Sequence, residues 1–371
     1  MLAAALFLLG RASGANAQPD ATEEILKQAI AQHQAGKIAE AIDAYEKYLA
    51  QRPESPLALA NLGAAYARVG RYQEAIVQYR HALKIQPESP STELNLGLAF
   101  YKTGQAEAAA ATFEKVHRAA PRELQPILLL ADCRLAMGEN KKVIDLLTPV
   151  AEQRPDDLAV AYMLGTALVR DDQPVRGQPI IDRILRHGNS AETWLLLGTA
   201  KLNAGDFPAA LVDLKKAVDL NPNLPDVWAY YGQALLRTGD PSTATEAYRK
   251  ALAANPYDFA ANLQMAVLLK EDEKIADAIE CLRRAQQVRP SDIRVRYQFA
   301  SIDLHDGKLD SARGGLESLV KEVPAYTEAH VTLATVYYRL KRKEDGDRER
   351  AIVQKLNAEA QQKQQQGVNV K

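Results

Sequence analysis

Five cations stand at a regular step along the chain. Arg68, Lys102, Arg170, Arg237 and Arg339 lie 34 residues apart, or close to multiples of 34. A row of cations can grip the carboxylates of a partner through charge-assisted hydrogen bonds. Each can equally sit at a helix end and complement its dipole. No other set of side chains has spacing with a chemical meaning. His33, His81, His117, His187, His305 and His330 are scattered, with no pair at the spacing of metal ligands on a helix. Cys133 and Cys281 form no Cys-x-x-Cys. No glycine-rich phosphate loop and no Gly-x-Ser-x-Gly elbow is present. The histidines read as surface or packing residues and the cysteines as small apolar packing residues. The residues therefore predict no enzyme, no metal site and no cofactor.

The elements that must position the cations are helices. The 371 residues are rich in Ala, Leu, Glu, Lys and Gln, and runs that alternate apolar and β-branched residues with polar ones are missing. Basic and acidic residues balance to a net charge of −1. That balance gives no electrostatic reason to expect nucleic acid or an anionic membrane surface as partner.

Prolines set the period. Pro53, Pro87, Pro121 and Pro155 are followed by Pro222, Pro256, Pro290 and Pro324, with 34-residue steps and one of 67. A fixed period of this size signals stacked supersecondary units. With Pro53 at position 32 of a unit, position 8 is always Gly or Ala, as at Gly63, Gly198 and Gly232. Position 20 is almost always small, as at Ala75 and Ala244. Position 24 is large, as at Tyr45, Tyr79, Phe113, Leu214 and Tyr248. Glycine is commonest at position 15, from Gly36 and Gly70 to Gly307. Each unit thus reads as two helices. The first ends on a left-handed glycine, small residues let the two cross closely, and proline stops the second. Ser55, Asp157, Ser190, Asp258 and Asp292 stand where N-caps belong.

These residues resemble the tetratricopeptide-repeat (TPR) signature, from residue 22 to about 360. Trp194 and Trp228 match its aromatic position 4. The resemblance implies an all-α, right-handed superhelical solenoid of about ten helix-turn-helix units with a C-terminal capping helix. The units fall near 22–55, 56–89, 90–123, 124–157, 158–190, 191–224, 225–258, 259–292, 293–326 and 327–360. The array occupies 22–340, the capping helix 341–360, and a polar, disordered tail 361–371. In this family, positions 2, 5, 6, 9, 12 and 13 of the first helices line a concave groove. Carried onto this sequence, the groove includes Asn61, Leu94, Asn95, Leu98, Tyr101, Tyr162, Leu195, Tyr230, Gln233, Tyr297 and Tyr338, with Arg68, Lys102, Arg170 and Arg237 at its edge. Such a strip suits a peptide segment; several of these residues could instead simply pack between repeats.

The fifth unit is one residue short and carries Pro174 and Pro179 around Gly177. Pro179 is expected to kink or delay its second helix and Pro149 to kink that of the fourth unit. A flexible joint between two halves is one reading of this irregularity, and neutral drift the other. At the amino terminus, an apolar run from Leu2 to Leu9 precedes Ala15-Asn16-Ala17. That pattern predicts a signal peptide at 1–17 and a periplasmic or secreted protein. No basic residue precedes the run, which leaves an uncleaved arm on a cytoplasmic protein as the alternative. No other segment is long and apolar enough to cross a membrane. The expected partner is a protein or peptide, bound by a non-catalytic scaffold of the cell envelope. The alternative is a structural part of an envelope export or polysaccharide-secretion assembly, with assembly subunits as partners.

Overall fold

The computed structural model describes residues 21–186 and 190–368. The expected signal peptide at 1–17 lies outside them. Among the described residues there are twenty helices and no strand. They divide into two compact units, one up to Ala99 and one from Phe100. The first holds α1 (Ala21–Gln34), α2 (Ile38–Gln51), α3 (Pro56–Arg68), α4 (Tyr72–Ile85) and most of α5 (Pro90–Lys102). The second runs from α6 (Ala106–Ala119) through α7 (Leu124–Met137), α8 (Asn140–Gln153), α9 (Leu158–Arg170) and α10 (Pro174–Arg186). It continues with α11 (Ala191–Asn203), α12 (Phe207–Leu220), α13 (Val227–Arg237), α14 (Pro241–Ala254) and α15 (Phe259–Glu271). The last five are α16 (Ile275–Val288), α17 (Ile293–His305), α18 (Leu309–Glu322), α19 (Thr327–Arg339) and α20 (Lys343–Val368). From α1 to α4, and from α6 to α20, successive helices pack as neighbours.

The crossing inside each hairpin follows from size. A Cβ added at Gly63 would meet the Tyr79 ring at 2.7 Å, and one at Gly232 would meet Tyr248 at 2.9 Å. Real Cβ atoms do not approach that closely, so position 8 must be small where position 24 is aromatic. Tyr45, Tyr79, Phe113, Leu147, Leu214, Tyr248, Leu282 and Leu316 at position 24 are all fully buried. Ser55, Asp157, Ser190, Asp258 and Asp292 all accept backbone N–H bonds as N-caps.

Position 15 takes a left-handed conformation in all ten hairpins. Seven are glycines with φ between 72° and 90°. The other three are Asp172, Glu273 and Lys341, at φ 55°, 60° and 61°. The hairpin turn dictates the conformation, and those three residues carry its strain.

Neighbouring hairpins are tied by hydrogen bonds at recurring positions. Trp228 Nε1, Asn262 Nδ2 and His330 Nε2, all at position 4, sit 2.8, 2.9 and 3.0 Å from the carbonyls of Pro222, Pro256 and Pro324. Each ties the start of one hairpin to the proline closing the previous one. His330 also bonds Glu349 through Nδ1, which joins α19 to α20. A second tie joins position 11 to position 25 of the preceding hairpin, as in Tyr337 to Glu317 at 2.8 Å and Arg134 to Glu114 at 3.3 Å.

The irregular fifth hairpin is complete. α10 begins at Pro174 and continues through Pro179, so its start is not delayed. Pro179 removes one N–H donor without ending the helix. At the far end, α20 continues to Val368, through most of the stretch expected to be a disordered tail. Gln and Lys are good helix formers, and the run contains no breaker before Gly367.

Candidate functional site

The cations of position 13 are placed by the ends of the first helices. Arg68 Nη1 donates to the His33 carbonyl at 3.3 Å, Arg170 Nη1 to Leu135 at 3.3 Å and Arg339 Nη1 to Leu304 at 2.8 Å. Asn203, at the same position, donates to Val169 at 2.9 Å. Each acceptor is a last-turn carbonyl of the preceding first helix, which also accepts a backbone N–H from the hairpin turn. Three of the five cations, Arg68, Arg170 and Arg339, thus act with Asn203 as struts between repeats. Arg237 stays exposed with its guanidinium 4.4 Å above the Phe207 ring, and Lys102 is exposed.

Asn61, Leu94, Asn95 and Leu98 are half-buried on α3 and α5 in the first unit. In the second unit Tyr101, Arg170, Tyr230 and Gln233 converge on one inner chamber of about 330 Å³. Tyr162 lines a cleft of about 540 Å³, and Asp132, Leu135 and Asp226 line both spaces. Tyr297 and Tyr338 line neither; the first sits 3.0 Å from Thr332 Oγ1 and the second donates to Asp347 at 2.8 Å. Leu195, expected on the groove, is instead a buried core residue. Tyr162 and Tyr230 pack against the cluster that contains Leu195.

Arg170 is the hub of the chamber. Its Nε donates to Tyr230 Oη at 2.6 Å and its Nη2 to Asp226 Oδ2 at 3.1 Å. Asp226 caps α13 in the left-handed conformation, φ 63°, a strained backbone for a residue with a side chain. Burial alone would lower the Arg170 pKa, but Tyr230, Asp226 and Tyr162 hold the guanidinium firmly charged.

Two carboxyls in this region are pushed the other way. Burial, with Asp226 adding, raises Asp132 to about 6, against the pull of its hydrogen bond from Tyr101. Burial and Asp226 raise Asp258 to about 7, although the Ala261 N–H at 2.8 Å favours its charged form. Desolvation outweighs the cap because the side chain has almost no water contact. The buried Tyr248 hydroxyl and Asn140 Oδ1 line the chamber without hydrogen-bond partners.

Sequence periodicity gives no sign of Arg289. It closes one side of the chamber by donating Nε to the Ala136 carbonyl at 2.7 Å, and its guanidinium lies 3.9 Å over Phe259. Burial first, then the charges of Arg294 and Arg170, lowers its pKa to about 10, so it remains a cation at neutral pH. Gln287 reaches the Thr103 carbonyl at 2.6 Å beside it. The local signal was only a polar pair at the end of α16, with nothing to identify a contact so distant in sequence.

The arrangement pairs no nucleophile with a base. Among the described residues no group of His, Cys, Asp and Glu is placed to hold a metal ion, and no helix is long and apolar enough to cross a membrane. What it offers is an inner face of tyrosines, aliphatic walls and buried charges.

Comparison with known proteins gives three family matches. The cytochrome c-type biogenesis protein H TPR domain matches residues 181–292. The N-terminal TPR repeats of the surface lipoprotein assembly modifier match 12–113, and a tetratricopeptide repeat model matches 100–168. Among solved structures, the APC/C hetero-tetramer Cut9-Hcn1 resembles this chain with a TM-score of 0.54 at 13% identity, covering 91% of this chain and 88% of that one. The human IFIT1 dimer with m7Gppp-AAAA gives a TM-score of 0.48 at 17% identity, covering 89% of each chain. A tetratricopeptide repeat protein from Parabacteroides merdae gives 0.43 at 19% identity, over 59% of this chain and 86% of that one. No curated protein matches the sequence.

Proposed function

Because this chain is a tetratricopeptide-repeat protein, we propose that it is a non-catalytic scaffold that binds a segment of a partner protein on the inner face of its first helices. The supporting observation is the cleft in the second unit. Its walls include Leu128, Leu129, Tyr162 and Met163, which occupy positions 5 and 6 of adjacent repeats. Large apolar side chains kept partly open to solvent along one face are what a docking segment buries. Tyr162 adds contact area at small entropic cost.

The setting we propose is the cell envelope, in the periplasm or outside the cell. The reading is supported by the Leu2–Leu9 run with Ala15-Asn16-Ala17, and by the two family matches named for cytochrome c biogenesis and surface lipoprotein assembly. Those names also favour a second form of the same reading, in which the array holds subunits of an envelope assembly together. Co-purification from cells tests the proposal. Met163→Glu, which places a charge in the cleft, should abolish recovery of a partner that wild type and the outer-surface variant Val212→Glu both retain. Equal recovery by all three would overturn it.

A further inference from the structure

The cleft has a chemical polarity that its apolar walls alone do not convey. Leu129, Leu158, Tyr162, Met163, Leu224 and Pro225 form much of the wall. The charged residues facing the same space are Asp132, Asp226 and Glu192; among the described residues no Lys or Arg lines it. Arg170 answers Asp226 from behind, whereas Asp132 receives the Tyr101 hydroxyl, and Arg170 and Lys102 act on it only through their charge. A carboxylate has about four acceptor positions, so one hydroxyl leaves most of them open. Thr166 adds a second signal. It is 6% exposed and lines the cleft, and its Oγ1 has no hydrogen-bond partner. The Tyr162 hydroxyl is the polar group that faces it.

We propose that this cleft takes a lysine or arginine of the partner segment, flanked by aliphatic residues, with the cation against Asp132 and its stem along the apolar wall. The inference rests on the scaffold reading above and specifies what that scaffold recognises. The long stem of Lys or Arg buries against apolar surface while its head reaches a polar group. An acidic side chain in the same place would meet three carboxylates. A neutral apolar side chain would leave most of the Asp132 acceptor positions buried without a partner. The occupant is a peptide because the cleft continues the first-helix face. Leu128, Leu129 and Asp132 on α7, and Tyr162, Met163 and Thr166 on α9, stand at positions 5, 6 and 9 of consecutive hairpins. At about 540 Å³ the space admits more than one side chain.

Fluorescence anisotropy on the full chain tests this. The probes are a fluorescein-labelled Gly-Ser-Gly-Ile-Lys-Ile-Gly-Ser-Gly peptide and the same peptide with Glu for Lys. The Lys peptide should bind at least tenfold more tightly than the Glu peptide. Asp132→Asn should reduce its affinity at least fivefold, and Glu192→Gln at the rim about twofold. Circular dichroism checks that Asp132→Asn folds; should it not, the Glu192→Gln effect decides. Equal affinity for the two peptides, no binding by either up to millimolar concentration, or variants that bind like wild type would overturn the proposal. So would n-butylammonium displacing the peptide as effectively as the unlabelled peptide does, since that would mark a small-amine site. If the peptides are not distinguished while Met163→Glu still abolishes partner recovery, the scaffold reading survives and only the choice of a cation fails.

Discussion

Arg289 donates its Nε–H to the carbonyl of Ala136 at 2.7 Å, joining residues 153 positions apart. A linear stack of repeats needs only neighbours. Here the C-terminus of α7 is held by two arginines, one from the next hairpin and one from the end of α16. The second unit is thus fastened across its own repeats, and the chamber is fastened with it.

Removing that bond should loosen α7 before it loosens anything else. Arg289→Ala loses a charge-assisted hydrogen bond and the stack on Phe259, for a cost of about 2 kcal/mol in denaturant unfolding. Hydrogen exchange should speed up at the last turn of α7 and at Thr103. Unchanged exchange there would mean the contact is incidental.

Gly104 tests the same closure from the other side. It has φ 72°, and a Cβ placed on it would lie 2.2 Å from the Tyr257 ring. Gly104→Ala should therefore destabilise the second unit by about 2 kcal/mol or more. Gly36, with φ 76° and open space around it, carries only the backbone penalty. Gly36→Ala should cost about 1 kcal/mol. Equal losses would show that crowding by Tyr257 contributes nothing.

Two of the three strained turns predict gains. Lys341→Gly and Glu273→Gly place glycine where the backbone is already left-handed. Relief of that strain, partly offset by the greater freedom of glycine in the unfolded chain, should add about 0.5–1 kcal/mol each. Thermal melting of the single and double variants checks this, and the two gains should add because the sites are far apart.

The raised carboxyls fix a sign for the pH dependence. Asp132, raised to about 6, and Asp258, raised to about 7, bind their protons more tightly folded than unfolded. The stability they contribute is complete below the unfolded pKa near 4 and is lost as pH rises through 6 to 7. The slope is at most about 1.4 kcal/mol per pH unit for each group. The groups acting on them are Asp226, Arg170, Lys102, Tyr101 and the backbone N–H donors of Ala260 and Ala261. Asp292 and Glu114 have lowered pKa values and act oppositely, losing stability as pH falls below about 4. Melting temperature should thus rise on acidification from pH 8 to about 4 and then fall. Asp258→Asn keeps the cap and should flatten the upper limb.

The sequence carries the hairpin plainly, because each of its rules acts within one period. Glycine at 15, the small residue at 8 and the large one at 24 each answer a contact inside a single hairpin, and Gly232 against Tyr248 is such a case. Residues whose partners lie outside the period were not legible. Arg289 looks like an ordinary charged residue before Pro290, and nothing near it in the chain identifies Ala136 as its acceptor. Leu195 was misplaced for a related reason. Its position in the repeat is one that lines the groove, but here it belongs to a buried cluster against which Tyr162 and Tyr230 from neighbouring first helices pack. The row of position-13 cations was visible; the use of three of them as struts to the preceding helix depends on carbonyl positions that side-chain identity does not give.

The central claim is that the first helices carry the docking face. Its most direct test is photo-crosslinking in cells from position 129 on α7, compared with exposed position 212 on α12, with the captured peptides sequenced. The account predicts that Leu129 replaced by a photoreactive residue captures one defined partner segment repeatedly, and that the same replacement at Val212 does not. Capture of that segment from Val212 but not from Leu129 would contradict it.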